Sequence, residues 1–303
     1  MKRMKHLIIG IVLLIAIINT ANGQNILKKP LPTDPKVRIG KLDNGLTYYI
    51  RENEKPEERV LLRLAINAGS VLETDEQKGL AHFVEHMCFN GTKNFEKHEL
   101  IDFLEKMRIK FGAELNAYTS FDETVYMLQV PTDQTGLIDT AFQVLEDWAH
   151  NVSFEEEEID KERGVIVEEW RLGLGAQDRM RKQYLPVALK GSKYAERIPI
   201  GDVEIVKNCD YETLRQFYRD WYRPDLMAVV VVGDIDADDM EQKIKTHFSR
   251  LKMPENPKKR ENFDIPGNKE PLIAIATDKE ATYNMVQVFY KHERNIEKTL
   301  ADY

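Results

Sequence analysis

Residues 79–87 read Gly79-Leu80-Ala81-His82-Phe83-Val84-Glu85-His86-Met87, and their spacing governs how the rest of the chain is read. On a helix at about 100° per residue, with His82 at 0°, His86 falls near ~40° and Glu85 near ~300°. Leu80, Phe83, Val84 and Met87 fall between about 100° and 200°, on the opposite side. Such a helix buries an apolar stripe and presents two imidazoles one turn apart with a carboxylate beside them. Two His at i and i+4 can share one Zn²⁺ through ring nitrogens. The neighbouring Glu85 is placed as a general base toward a water on that metal. The bland alternative is two surface His and a surface Glu. His is scarce, 7 in 303 residues, and the two-faced pattern makes a chance match rarer still.

Zinc in a catalytic site takes a third protein ligand and keeps a position open for water. The candidates are downstream acids. Glu162 and Glu169 lie seven apart on a helix expected from Ser153 onward, and therefore on one face. Glu168 points about 100° away from Glu169. Spacing leaves Glu162 and Glu169 both open, and without the His pair both would read as salt-bridged acids on a Glu-rich helix.

Working outward, residues 36–51 predict a hairpin, with Asp43-Asn44-Gly45 as its turn. Residues 60–68, 115–120 and 124–130 predict three more strands. Thr74 predicts a helix start, with Gln77 as its capping-box partner. A helix is expected over 97–110, stopping at Gly112. Helical spacing returns at Leu137, Ile138, Ala141, Val144, Leu145 and Trp148. Ser153 is expected to cap the next helix with Glu156, which puts the acidic run 155–158 in a first turn that favours negative charge. Helices follow at about 176–190 and 211–222. Residues 227–232 read as a buried strand, and Asp236 caps a helix running to about 251. Hairpins mixed with helices indicate an α+β fold with a mixed or antiparallel sheet and helices packed mainly on one face. Residues 252–271 collect Pro254, Pro257, Pro266, Gly267 and Pro271 among charges and read as a linker. Residues 272–277 and 285–290 restart a strand–turn–strand pattern. The 272–303 stretch is too short to bury a core of its own, so it is expected to begin a second domain that is completed elsewhere.

At the N-terminus, Lys2, Arg3 and Lys5 precede an apolar run over 7–18 and small residues Ala21 and Gly23. This is the pattern of a signal peptide over 1–23, too short to span a membrane, so the mature chain is expected to be exported to the periplasm or secreted without a stable span. The net charge is −8, and losing the leader makes it more acidic. A nucleic-acid partner is therefore not expected. Two cysteines, Cys88 and Cys209, allow at most one disulfide and are read as separate thiols. His98, His150, His247 and His292 have no partner at ligand spacing. Asn90-Gly91-Thr92 and Asn151-Val152-Ser153 match glycosylation acceptors but read better as a turn and a helix cap.

Gly69-Ser70, Glu73, the 79–87 stretch, Phe89 and Gly91-Thr92 together resemble the pitrilysin/insulinase family of inverted-motif zinc peptidases, which includes the mitochondrial processing peptidase. The resemblance continues through Asn116-Ala117-Tyr118-Thr119, Thr124-Val125-Tyr126 and Lys161-Glu162-Arg163-Gly164-Val165-Ile166-Val167-Glu168-Glu169. It ends with Pro199-Ile200-Gly201 and Tyr222-Arg223-Pro224 through Gly233-Asp234, so it covers about residues 36–251. The resemblance implies one Zn²⁺ per chain held by His82, His86 and Glu169, with Glu85 as the base. It implies that Glu162 orients a ligand. It also implies that Asn116 and Ala117 lie on an edge strand that pairs with a peptide substrate. The expected activity is zinc-dependent endopeptidase. Family chambers are built from two similar halves, so a second half or a partner subunit is expected to close this one. The alternatives are a non-catalytic peptide-binding or half-site subunit and, more weakly, a zinc-stabilised structural module, since two His and one carboxylate leave the open position that structural sites avoid.

Overall fold

The computed structural model describes residues 27–106, 115–292 and 296–302. The leader expected over 1–23 and the end of the helix expected over 97–110 lie outside these residues. The chain divides into a main unit, Lys36–Lys291, and a small terminal unit. In the latter, the described stretches 27–35 and 296–302 meet in an antiparallel bridge between Pro30 and Thr299.

Alternation of apolar and polar residues builds a six-stranded sheet in the main unit. Its strands are β1 (Val37–Lys41), β2 (Thr47–Glu52), β3 (Arg59–Ile66), β4 (Leu115–Thr119), β5 (Thr124–Pro131) and β6 (Met227–Gly233), in the order β1-β2-β6-β3-β5-β4. Every pairing is antiparallel except β2 with β6, so the sheet is mixed. The register stacks one apolar face across the strands. Leu62 stands opposite Leu128 and Val231, and Leu64 opposite Tyr126 and Val229, all of them buried. The other face keeps Tyr49 and Leu61 exposed. That asymmetry is the signature of helices packed on one side.

The covering helices are α1 (Leu80–Met87), α2 (Lys97–Lys106), α3 (Leu137–His150), α4 (Glu156–Leu172), α5 (Ala176–Ala188), α6 (Val203–Asn208), α7 (Tyr211–Trp221) and α8 (Ala237–Phe248). Phe83, Val84 and Met87 of α1 enter the same core as Trp148 of α3, Phe217 of α7 and Ile244 of α8. Trp148 Nε1 donates to the Cys88 carbonyl at 2.8 Å, which ties the end of α1 to α3. The segment after α1 is held by buried Asp147, which accepts from Thr92 Oγ1 at 2.6 Å and from Asn94 Nδ2 at 2.7 Å. No helix among the described residues is long and apolar enough to cross a membrane.

Three local expectations are corrected, and one helix is added. The Thr74–Gln77 capping box forms, but it serves a single 3₁₀ turn, Asp75–Gln77. Helix α1 starts only at Leu80 because Gly79 takes a left-handed φ of +100° and turns the chain. Gly201 presses on that turn so closely that a Cβ on it would lie 2.2 Å from Gly79 Cα. Ser153 does not cap α4. Phe154 sits at φ +49° and breaks the run, Glu155 becomes the N-cap, and Ser153 N donates to the Gly91 carbonyl instead. The short helix α6, capped by Asp202, was not foreseen. Residues 272–277 and 285–290 form no strand, and the whole stretch 252–291 contains neither helix nor strand. Alternation supplies a face to bury, but a strand also needs a neighbour for its backbone, and none is paired with these residues.

Candidate metal centre

Helix α1 behaves as its azimuths require. Leu80, Ala81, Phe83, Val84 and Met87 are buried in the core, and so is Cys88. His82 and His86 occupy the other face with side chains 12% and 20% exposed. Their Nε2 atoms lie 3.2 Å apart, with the rings edge to face. Helix α4 crosses near α1 and brings both candidate acids. Glu169 Oε2 lies 3.6 Å from His82 Nε2 and 3.4 Å from His86 Nε2. Glu162, two turns earlier on α4, meets the opposite nitrogen of His86, with Oε1 2.8 Å from Nδ1. Asn90 Nδ2 in turn donates to Glu162 Oε2 at 2.9 Å and to the His86 carbonyl at 3.0 Å.

His82, His86 and Glu169 are the one group of metal-ligating side chains that converges among the described residues. Their donor atoms fit zinc. A tetrahedral Zn²⁺ with ligands at about 2.0–2.1 Å requires donors about 3.3–3.4 Å apart, and the three separations of 3.2, 3.4 and 3.6 Å bracket that value. Two imidazoles and one carboxylate also leave a fourth position open, as a catalytic zinc site does.

The electrostatics set the two imidazoles apart. Burial and the nearby charge of His86 hold the His82 imidazole well below its ordinary pKa, in the neutral form a ligand needs. Burial opposes charge on His86 as well, but its hydrogen bonds to Glu162 and Glu169 outweigh burial and raise it. The bond from His86 lowers Glu169. Glu85 is buried beside the pair, and burial raises its carboxyl above the usual range against the opposing bond from Thr119. Thr119 Oγ1 donates to Glu85 Oε2 at 2.5 Å. A carboxyl raised in this way is suited to exchanging a proton.

Asn116 and Ala117 lie on β4, which ends the sheet, opposite Met127 and Tyr126 of β5. Thr119, on the same strand, is a contact to Glu85 that sequence reasoning missed. Asn90 was read only as a turn residue, and nothing in its local sequence signals a buried amide directed at Glu162. Two other histidines are engaged elsewhere. His247 and His150 pair with Glu146 at 2.8 and 3.5 Å. The two thiols are free: Cys88 lies against the Tyr126 hydroxyl, and Cys209 beside Arg163.

Comparison with known proteins follows the same lines. Residues 48–192 match the model of insulinase, peptidase family M16, and residues 208–297 match the M16 inactive domain. The chain is 39% identical over 279 residues to a probable zinc protease PqqL of Haemophilus influenzae, covering 90% of this chain and 30% of that protein. It is 30% identical over 217 residues to a probable mitochondrial-processing peptidase subunit beta of Arabidopsis thaliana, covering 72% of this chain and 39% of that one. Among solved structures, the first half of the periplasmic protease PqqL from Escherichia coli superposes with a TM-score of 0.74 at 40% identity, covering 80% of this chain and 51% of that chain. The chain thus spans about a third of the curated PqqL protein it matches. It is built of domains of the M16 (insulinase/pitrilysin) peptidase family.

Proposed function

We propose that this chain carries the catalytic centre of a zinc-dependent endopeptidase acting on peptides or unfolded polypeptides. The observation that carries the reading is the convergence of His82, His86 and Glu169 at zinc-like separations beside the buried carboxyl of Glu85. His82, His86 and Glu169 would hold one Zn²⁺. When bound, the metal supplies Lewis acidity toward the scissile carbonyl and lowers the pKa of the attacking water. Glu85 takes the proton from that water and returns it to the leaving amine. Thr119 fixes one oxygen of Glu85 and leaves the other for the proton. Glu162, steadied by Asn90, holds His86 by Nδ1 so that Nε2 is turned toward His82 and Glu169, where it would serve as a ligand. Strand β4, through Asn116 and Ala117, pairs with an extended substrate backbone, which accounts for action on chains without stable structure of their own.

The PqqL relative is named a probable zinc protease, another relative a processing peptidase, and one solved relative is described as periplasmic. They support a hydrolase exported by a leader over residues 1–23. A second reading follows from the length ratio. The chain spans 30% of the PqqL protein it resembles, and on this reading turnover draws on a further half or a partner subunit that closes the chamber. On this reading the same zinc site is present and the isolated chain is a half-site.

The test is zinc content together with cleavage of an unstructured quenched peptide, for wild type and Glu85→Gln. One zinc in each, with turnover lower by about 10²–10⁴-fold in the variant, is expected. Equal turnover would overturn the assignment of the base. One zinc without turnover in either would select the half-site reading.

A further inference from the structure

Helix α1 carries the zinc motif but has no capping side chain of its own. Its N-cap is Gly79, and the N–H groups of a first helical turn have no acceptor within the helix. The acceptor comes from Glu73, six residues before the N-cap. Glu73 is fully buried, and its Oε1 takes the Ala81 N–H at 2.8 Å, immediately before His82. Glu73 is itself clamped. Its backbone carbonyl accepts from Arg197 Nε at 3.2 Å, and the Arg197 carbonyl accepts from Ser70 Oγ at 2.5 Å. The guanidinium of Arg197 is directed to Asp75, at 2.8 Å, rather than to the Glu73 carboxyl.

Stability alone does not account for an acid at this position. The Gly79 backbone also bears on this carboxyl, but Glu73 Oε2 makes no well-formed hydrogen bond, and a buried carboxyl with a poorly satisfied oxygen disfavours folding. Burial pushes the group up to about 8. An apolar side chain of similar volume would fill the space without that penalty, but it could not accept the Ala81 N–H. Working metal sites hold their ligands to within about 0.5 Å and 10–20°. His82 is only the third residue of α1, so fraying of the first turn would move it beyond that tolerance.

We propose that Glu73 is a positioning residue for the metal centre: by accepting the Ala81 N–H it fixes the first turn of α1, and with it the rotation of His82 and His86 toward Glu169. The inference rests on the zinc reading given above.

The test compares wild type, Glu73→Gln and Glu73→Met in the full chain. Zinc affinity is measured by competition with a chromophoric chelator, and ligand geometry by the visible absorption of the Co²⁺-substituted protein. Gln keeps the acceptor and is expected to bind zinc within about threefold of wild type, with an unchanged cobalt spectrum. Met keeps the volume and loses the acceptor. It is expected to weaken zinc by about tenfold, equivalent to about 1.4 kcal/mol, and to shift the cobalt bands. A Met variant with wild-type affinity and spectrum overturns the inference, whatever its melting temperature. Should that variant not fold, amide exchange in wild type decides: the Ala81 N–H is expected to be protected like the core, and exchange as fast as a frayed helix end overturns the inference. A wild type that binds neither zinc nor cobalt overturns the zinc reading and this inference with it, whereas a wild type that binds normally beside an unchanged Met variant overturns this inference alone.

Discussion

Residues 36–251 and 272–290 carry similar alternating apolar patterns and end in opposite states. In the first stretch, Leu62 faces Leu128 and Val231 and is wholly buried. In the second, Ile273, Ile275 and Val286 are 79%, 82% and 92% exposed. Pairing makes the difference, not composition. β3 lies between β5 and β6, which satisfy its backbone on both sides, while residues 272–290 have no strand beside them. Polar contacts hold this segment instead, such as Arg179 to Asp278 at 2.6 and 2.8 Å. The metal centre belongs entirely to the first stretch, where buried packing can hold a side chain in one place. A contrast this sharp makes quantitative demands on both regions.

The largest effect is expected at Trp148. Its indole is fully buried and bonded to the Cys88 carbonyl. Trp148→Ala should cost about 3–5 kcal/mol in denaturant unfolding, a large share of the roughly 5–15 kcal/mol of an ordinary domain. A loss below about 1 kcal/mol would mean that the core does not centre where α1 meets α3.

Next comes the pH dependence of Glu73. Its folded pKa of about 8 lies above the ordinary value of 4.5. Its contribution is therefore fully present below pH 4.5 and is lost as pH rises through 8. Unfolding of chelator-treated wild type and Glu73→Gln between pH 5 and 9 should diverge by a few kcal/mol at the alkaline end, with wild type the weaker. Parallel curves would show that the carboxyl is not buried in solution.

Polar contacts sharpen the comparison on a smaller scale. Asn90→Ala removes the donor to Glu162 and should weaken zinc by about 10–100-fold. Asp278→Asn disturbs the contact to Arg179 and should leave zinc affinity unchanged. Equal effects in a chelator competition would erase the distinction between the regions. The smallest change is expected at Val286. Val286→Lys should alter the melting free energy by no more than about 0.5 kcal/mol, because the side chain is already in water. A larger loss would show that the segment is packed after all.

Much of the site could be read before any coordinates. The 3.6-residue period of 79–87 separates His82, Glu85 and His86 from the buried face. The Asp43-Asn44-Gly45 turn marks the first hairpin, and the apolar alternation marks the sheet. The choice between Glu162 and Glu169 could not be read from spacing. Both lie on one face of α4, and which nitrogen each meets depends on where α4 crosses α1. Thr119 and Asn90 were missed because their importance lies in contacts to Glu85 and Glu162, distant in sequence. The start of α1 was displaced because Gly79 and Gly201 interlock across the fold, which overrides the local capping box at Thr74. The 272–290 stretch shows the reverse failure, a clear local signal without the tertiary partner that would realise it.

The central claim is that His82, His86 and Glu169 bind zinc while Glu162 orients His86. Zinc titration of wild type, Glu169→Gln and Glu162→Gln tests it most directly. The account predicts one tightly bound zinc in wild type, loss of tight binding in Glu169→Gln, and one zinc held about 10–100-fold more weakly in Glu162→Gln. A folded wild type without zinc, or a Glu169→Gln variant that binds as wild type does, would contradict it.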